Sequence, residues 1–178
     1  MTLTLRLRHS AFSFDTATGK LSDPQVLDIG AHAEQSPTWL EASRDGQWLV
    51  AVHEVSHHTG FGAGQGWLSS YKIERDADGN ATGALTLGAT APSGGKGNTA
   101  VTFDNSGKYV FATRYWEGGI SILPFAPATG TFEPATDGGA SLTCHSHLGR
   151  GQHELRQSSA HPHGIHQDPL SDFVFALE

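Results

Sequence analysis

The sequence predicts an all-β fold, a β-propeller of which this chain carries roughly the first half of the ring. Three observations support the prediction. The 22 glycines and 8 prolines imply many turns, no long apolar run has helical periodicity, and a strand–turn–strand pattern recurs along the chain. Frequent turn residues between short apolar runs are typical of all-β proteins.

The repeat is clearest at its turns, which lie at Asp45-Gly46, Ser106-Gly107 and Ser171-Asp172, 61 and then 65 residues apart. Each turn joins two short apolar strands, and the segments that share this plan are 36–54, 98–116 and 163–178. A second hairpin lies between the copies, so each repeat has the four antiparallel strands of a propeller blade. A β-sandwich with similar hairpins is the alternative, but the constant order of the two hairpins favours the propeller.

Residues 1–178 therefore form a single partial propeller domain with four parts. These are 10–30, the second hairpin of the ring-closing blade; 36–90, the first blade; 94–140, the second; and 160–178, the start of the third. We predict strands at about 37–44, 47–54, 67–74, 99–104, 108–115 and 119–125. An open half-ring leaves strand edges and apolar faces uncovered, which offers a route to self-association or to pairing with another chain.

Composition narrows the class of partner and the compartment. The formal net charge of −7 argues against general affinity for nucleic acid or for an anionic membrane. No stretch is long and apolar enough to cross a bilayer. Residues 1–8 alternate like a strand and lack the apolar run of a signal peptide. Cys144 has no partner for a disulfide, which favours a reducing compartment, the cytoplasm.

The segment His53-Glu54-Val55-Ser56-His57 matches the HExxH zinc-protease motif. That motif needs a helix to bring its two histidines to one metal ion, whereas the repeat predicts a strand here. In a strand, positions i and i+4 lie about 13 Å apart. The position of a third ligand is Ala63, and Met1 is the only methionine. We therefore expect no metal at His53 and His57.

Two other segments invite a site interpretation. Histidines crowd the region after Cys144, where a metal site is conceivable, but the spacing fits no common structural zinc site and a solvated loop is the simpler interpretation. The glycine-rich Ser93–Asn98 lacks the GxxxxGK[ST] pattern of a phosphate loop and predicts a blade-to-blade connection.

The histidine pair His161 and His163 is the stronger candidate. It enters the innermost strand of the third blade, where alternate residues share a face, and Pro162 is tolerated only at a strand's start. Both imidazoles are then expected at the mouth of the channel. A histidine there can act as general acid or base near neutral pH.

At these residues the chain resembles the lactonase family of seven-bladed propellers, which contains 6-phosphogluconolactonases and the carboxy-cis,cis-muconate cyclase. The segment 36–55 is similar to the family's first-blade pattern, with His53 where asparagine is usual, and 97–116 is similar to the second-blade pattern, with Ala100 where histidine is usual. The most specific match is 156–163, which resembles the family's RQ-x-S-x-H-x-H stretch. The family's first strand is replaced by Met1–His9.

The resemblance implies cytosolic hydrolysis of a sugar lactone, as by a 6-phosphogluconolactonase of the pentose phosphate pathway. His163 falls on the family's proposed catalytic histidine, and the expected contacts to a small anionic lactone are Arg156, His161, Glu54 and Arg114. We expect Glu54 and Arg114 to end inner strands and to face the mouth of the channel. No metal and no organic cofactor are implied.

Two other functions stay open, a muconate-type lactonising isomerase and a non-catalytic half-propeller that needs a partner chain. The family's other proposed catalytic residues lie in later blades and have no counterpart before Glu178. We therefore expect little or no lactonase activity from these 178 residues alone.

Overall fold

The computed structural model describes residues 9–27, 36–55, 57–58, 62–63, 65–133, 143–146, 149–153 and 157–177. Their regular structure is entirely β. The strands are β1 His9–Asp15, β2 Lys20–Leu27, β3 Pro37–Ala42, β4 Trp48–His53, β5 His57–His58, β6 Gly62–Ala63, β7 Trp67–Arg75, β8 Ala81–Pro92, β9 Val101–Phe103, β10 Tyr109–Arg114, β11 Gly119–Ala126, β12 Thr131–Phe132, β13 Thr143–Ser146, β14 Gly164–Gln167 and β15 Val174–Leu177. The described residues include no helix that could span a membrane.

The first blade is the four-stranded sheet β3-β4-β7-β8, with each neighbouring pair antiparallel. The ribbon β5–β6 lies in the connection between β4 and β7. The observed strands agree with the predicted hairpin order and with the predicted positions. Strand β8 is longer than the sequence pattern suggested, because its pairing with β7 continues to Pro92.

The second blade has the order β9-β10-β11, and its outermost position is shared by two short strands. Strand β12 pairs with one end of β11, and β13 pairs with the other end. Strand β13 extends beyond residue 140, the predicted end of this blade. His145 therefore lies on a strand rather than in a loop, with its side chain exposed.

Strand β9 begins later than predicted because a side chain replaces part of the backbone ladder. The Thr113 hydroxyl accepts hydrogen bonds from the backbone N–H of Thr99, at 3.2 Å, and of Ala100, at 2.8 Å. These two residues are fixed in place without being part of the strand, so the ladder starts at Val101.

Two hairpins flank the whole blades. Strands β1 and β2 pair with each other and pack against the first blade, and β14 pairs with β15 beside the second. Strands β3, β9 and β14 are the successive innermost strands, because β9 contacts both of the others. The arrangement is a partial propeller in which each blade begins at the centre and proceeds outward.

The main core is the interface between the first two blades. Alternate residues of β4, Trp48, Val50 and Val52, point at Phe103 and Phe125 of the second blade, and all five are buried. The aromatic rings meet edge to face, which is the favoured geometry for such pairs. Period-2 patterning thus gives each sheet an apolar face against the next blade.

The turns that repeat in the sequence are joined in space by one side chain. Asn105 accepts a hydrogen bond from the Arg44 guanidinium in the first blade. Its backbone N–H donates to Gln167 Oε1 at 2.6 Å, and its side-chain amide donates to the carbonyl oxygens of Asp168 at 2.9 Å and Ser171 at 3.0 Å. Asn105 therefore connects the equivalent turns of three successive blades.

Candidate functional site

The candidate site lies at one end of the blades, where several connections between strands meet. This is the end opposite to the turns that Asn105 connects. The β8–β9 connection, the β10–β11 turn and the β13–β14 connection all come to this end. They are held together by backbone hydrogen bonds, among them Tyr115 N to Gly97 O at 3.0 Å and Gly97 N to Val55 O at 3.1 Å. The predicted connecting role of Ser93–Asn98 agrees with the structure.

His161 is half-buried and rigidly held. Its ring stacks on Tyr115, with centroids 4.4 Å apart and planes inclined by 16°. Its Nδ1 lies 2.8 Å from the Tyr115 carbonyl oxygen. A carbonyl only accepts, so Nδ1 carries a proton, and Nε2 faces the Ser159 hydroxyl at 3.4 Å.

His163 immediately precedes β14, and its side chain is exposed. Its backbone N–H donates to Leu177 O at 2.8 Å. Between the two histidines, Pro162 is buried and its carbonyl accepts a hydrogen bond from the Thr99 hydroxyl at 2.9 Å. The His163 ring meets Tyr115 edge-on at 6.0 Å and 90°, so both histidines contact one aromatic ring.

Arg114 ends β10, the second strand of its blade and not the innermost one. Its side chain is only 5% exposed, and Nη2 donates to the His145 carbonyl at 3.3 Å and to the Ser146 hydroxyl at 3.2 Å. An added Cβ at Gly95 or Gly119 would collide with this side chain. These contacts are structural, since they hold β13 beside β11, and a contact of Arg114 with substrate stays a prediction.

The other two predicted contacts differ in what the structure says of them. Glu54 directly follows β4, again the second strand rather than the innermost, and its side chain is exposed. Its backbone N–H donates to Ser36 O at 2.9 Å. Arg156 lies outside the described residues, so its role stays a prediction.

The sequence interpretation missed the residues that surround the histidine pair. Tyr115 follows Arg114 in the β10–β11 turn and lines a cavity of about 550 Å³ with Arg150, His153 and Gln157. Trp116 is 59% exposed beside it, with its indole 6.3 Å from His161. The adjacent pair Tyr115-Trp116 in the turn after a predicted strand was the available signal, because a contiguous aromatic patch at a surface often marks a binding site.

Where the structure describes it, the HExxH segment is not helical: His53 ends β4, Glu54 and Val55 lie outside any strand or helix, and His57 begins β5. His53 is fully buried in β4, stacks on Trp67 at 4.7 Å and pairs through Nε2 with the Ser69 hydroxyl at 3.0 Å. By alternation along β4, its ring lies on the face of the first blade that is turned away from the second blade. The helix that a zinc protease needs is not formed at residues 48–55.

The fold and the paired histidines at the blade connections define a β-propeller with a candidate site on its channel end. The sequence matches the family described as Lactonase, 7-bladed beta-propeller, over residues 9–178, and the chain belongs to that family. None of the curated proteins matches it significantly.

Solved structures give the same answer for the fold. A Bacteroides uniformis protein assigned as a 6-phosphogluconolactonase is 27% identical, with a TM-score of 0.71, covering 94% of this chain and 42% of its own. The periplasmic gluconolactonase of Pseudomonas aeruginosa is 23% identical, with a TM-score of 0.70 over 94% and 42%. A Bacteroides fragilis protein assigned as a 6-phosphogluconolactonase is 23% identical, with a TM-score of 0.69 over 94% and 40%.

This chain therefore spans about two fifths of the length of these structures, which is the extent of a partial propeller. One of them is periplasmic, and the cytoplasmic location expected from the lone cysteine stays a prediction.

Proposed function

We propose that this chain contributes the first blades of a sugar-lactone hydrolase of the 6-phosphogluconolactonase kind, with His163 as its general acid and base. Membership of the lactonase family supports lactone hydrolysis in general. The observation that carries the assignment to His163 is its exposed imidazole, oriented by the Tyr115 ring at the channel end of the propeller.

The chemistry requires one imidazole in two steps. His163 takes a proton from water, and the resulting hydroxide attacks the lactone carbonyl carbon. The ring C–O bond then breaks, and the leaving oxygen takes the proton from the imidazolium. Water and lactone become a hydroxy acid, with no other reactant. General acid–base catalysis of this kind contributes about 10²–10⁴-fold.

Tyr115 and His161 support His163 without touching the reacting atoms. His161 holds the Tyr115 backbone through its Nδ1–H and packs on the ring face. The Tyr115 ring in turn meets the His163 ring edge-on, which favours one orientation of that imidazole. A side chain held by packing loses less entropy on reaching the reactive geometry, which is where much of enzymatic rate enhancement originates.

The test is hydrolysis of 6-phosphogluconolactone above its spontaneous rate. The enzyme is assayed as the 178-residue chain and as the same chain joined to the remaining blades of the Bacteroides uniformis relative. We expect the chain alone to show little or no activity and the completed ring to be active. His163→Ala should then lower kcat at least about 100-fold.

His166→Ala is the matched control, because His166 is also exposed and lies three residues further along the chain, on β14. A completed ring that is equally active with His163→Ala would refute the assignment. Turnover of a carboxylated muconate instead of the sugar lactone would favour the isomerase. Strong turnover by the chain alone would show that the expectation of inactivity is wrong.

A further inference from the structure

We propose that the cavity beside Tyr115 is an anion-binding subsite, with Arg150 as its cation and His153 beside it, that takes the phosphate or carboxylate group of the ligand. The inference deepens the proposed function, because it states which end of a lactone substrate lies where. It concerns residues outside the family motif that gave His163.

The lining of the cavity has the chemistry that an anion needs. Its described residues include Arg150, His153, Gln157, Ser159 and His161, and none of those described is acidic. Acidic residues outnumber Lys and Arg 18 to 11 in the chain as a whole. A cavity with a cation and several hydrogen-bond donors is therefore an exception to the overall charge. Arginine is well suited to such groups, because its planar fork can bind two oxygens at once.

Arg150 is free to bind a ligand. Its side chain is exposed, and it forms no ion pair with any described residue. Other arginines are engaged: Arg75 donates to the carbonyl oxygens of Gly79 and Gly46, and Arg114 donates to strand β13. Among the described residues, no partner has to be given up before the Arg150 guanidinium donates to a ligand.

The segment that carries Arg150 and His153 is tied to Gln157 by three hydrogen bonds, two between backbone groups and one to the Gln157 side chain. Gly151 N donates to Gln157 O at 2.9 Å, and Gln157 N donates to His153 O at 2.7 Å. The Gln157 amide oxygen accepts from His153 N at 3.0 Å. The Gln157 side chain lies directly over Gly151, where any Cβ would collide with it. These bonds hold Gly151 and His153 beside Gln157.

The position of the cavity relates it to the candidate catalytic residue. Tyr115 lines the cavity together with His161, and the same ring contacts His163 at 6.0 Å. A ligand with its anionic group in the cavity thus has its other end near His163. That arrangement fits a lactone carrying a phosphate or a carboxylate away from the reacting carbonyl.

The experiment measures binding by the 178-residue chain, so it does not depend on turnover. Inorganic phosphate, 6-phosphogluconate, gluconate and uncharged glucose are titrated at constant ionic strength by isothermal titration calorimetry. We expect phosphate and 6-phosphogluconate to bind and glucose not to bind. Arg150→Ala should weaken the phosphate-bearing ligands at least about tenfold, the loss expected for one charge-assisted hydrogen bond.

Two further variants separate binding from folding. Gly151→Ala should weaken phosphate binding through the loop while leaving the unfolding midpoint of the blades nearly unchanged, and Lys20→Ala, on the distant exposed strand β2, should have no effect. Equal phosphate affinity in the native chain and Arg150→Ala would overturn the subsite, as would the absence of any phosphate binding. Gluconate binding as tightly as phosphate would assign the cavity to carboxylates.

The outcomes also distinguish this inference from the proposed function. If Arg150→Ala leaves phosphate affinity unchanged but His163→Ala abolishes turnover in the completed ring, the lactonase stands and the subsite fails. If phosphate binding depends on Arg150 but no lactone is hydrolysed, the subsite stands and the lactonase fails.

Discussion

Replacing Gly130 by alanine should destabilise the protein far more than the same change at Gly107. The two glycines have nearly the same backbone, with φ of 70° and 71°. Their surroundings differ: a Cβ at Gly107 meets nothing within 4 Å, whereas a Cβ at Gly130 overlaps the indole ring of Trp48. The pair therefore separates backbone strain from steric collision.

The strain is common to both sites. A left-handed conformation costs an alanine about 1–2 kcal/mol, and the lower entropy of the unfolded chain returns about 0.4–1 kcal/mol. Gly107→Ala should therefore cost about 1 kcal/mol. At Gly130 the collision adds about 1–3 kcal/mol, the usual cost of overpacking a core.

Trp48 cannot move aside cheaply. Its Nε1 donates to Pro127 O at 2.7 Å, and its ring packs edge-on to Phe125 in the inter-blade core. We expect a total loss of about 2–4 kcal/mol for Gly130→Ala, a large part of the 5–15 kcal/mol that stabilises a typical domain.

The assay is urea unfolding followed by circular dichroism, with the free energy taken from the midpoint and slope. The Gly130→Ala/Trp48→Phe double variant should lose less than the sum of its single variants, because a smaller ring leaves room for the added methyl group. Equal free energies of unfolding for Gly130→Ala and Gly107→Ala would refute the reasoning.

Three other predictions concern the blades and their edges. Asn105→Ala should lower the free energy of unfolding by about 1–3 kcal/mol, since it removes side-chain hydrogen bonds to two neighbouring turns. Asn80→Ala, in an exposed turn, is the control. Equal losses of free energy in the two variants would contradict the role given to Asn105. Burial lowers the pKa of His9, so the unfolded state takes up the proton at a higher pH than the folded state, and the free energy of unfolding should fall as the pH drops below about 6.5. The urea midpoints between pH 5 and 7 should depend less on pH in His9→Leu than in the native chain. An unchanged pH dependence would refute the role of His9. Phe175 and Leu177 on β15 and Phe173 just before it are exposed, and we expect self-association in sedimentation velocity experiments that Phe175→Lys reduces. A native chain that stays monomeric at 100 µM, on the order of a weak interface's dissociation constant, would contradict it.

The fold could be predicted because its information is local. Each repeated turn places a short polar side chain where it bonds its own backbone, as Asp104 does with Ser106 N at 3.0 Å and Tyr109 N at 2.7 Å. Such turns and the alternating strands between them are readable from a few neighbouring residues. The split outer strand of the second blade was not readable, because β13 pairs with β11 across the residues between them.

The site was only partly predictable, because its contacts join distant segments. Local alternation was enough to bring His161 and His163 to one end of the blade. That Tyr115 contacts both rings depends on the packing of the β10–β11 turn against the β13–β14 connection, since Tyr115 and His161 are 46 residues apart along the chain. For the same reason the sequence did not show that Arg114 ends the second strand of its blade, since the innermost strand is defined by contacts between blades.

The residues that stabilise the fold and the residues near His163 lie in different parts of the structure, so the surroundings of His163 can be polar and exposed. Stability resides in the apolar faces between blades, where Val50, Val52 and Val110 are fully buried. The connections at the channel end are held by backbone hydrogen bonds and by glycines that admit side chains closely, so they need no apolar core of their own. Changes at Arg150 or His163 should therefore alter binding or turnover with little change in the free energy of unfolding. Changes at Trp48 should lower the free energy of unfolding. Measuring both quantities for the same variants tests whether chemistry and stability are separate in this half of the ring.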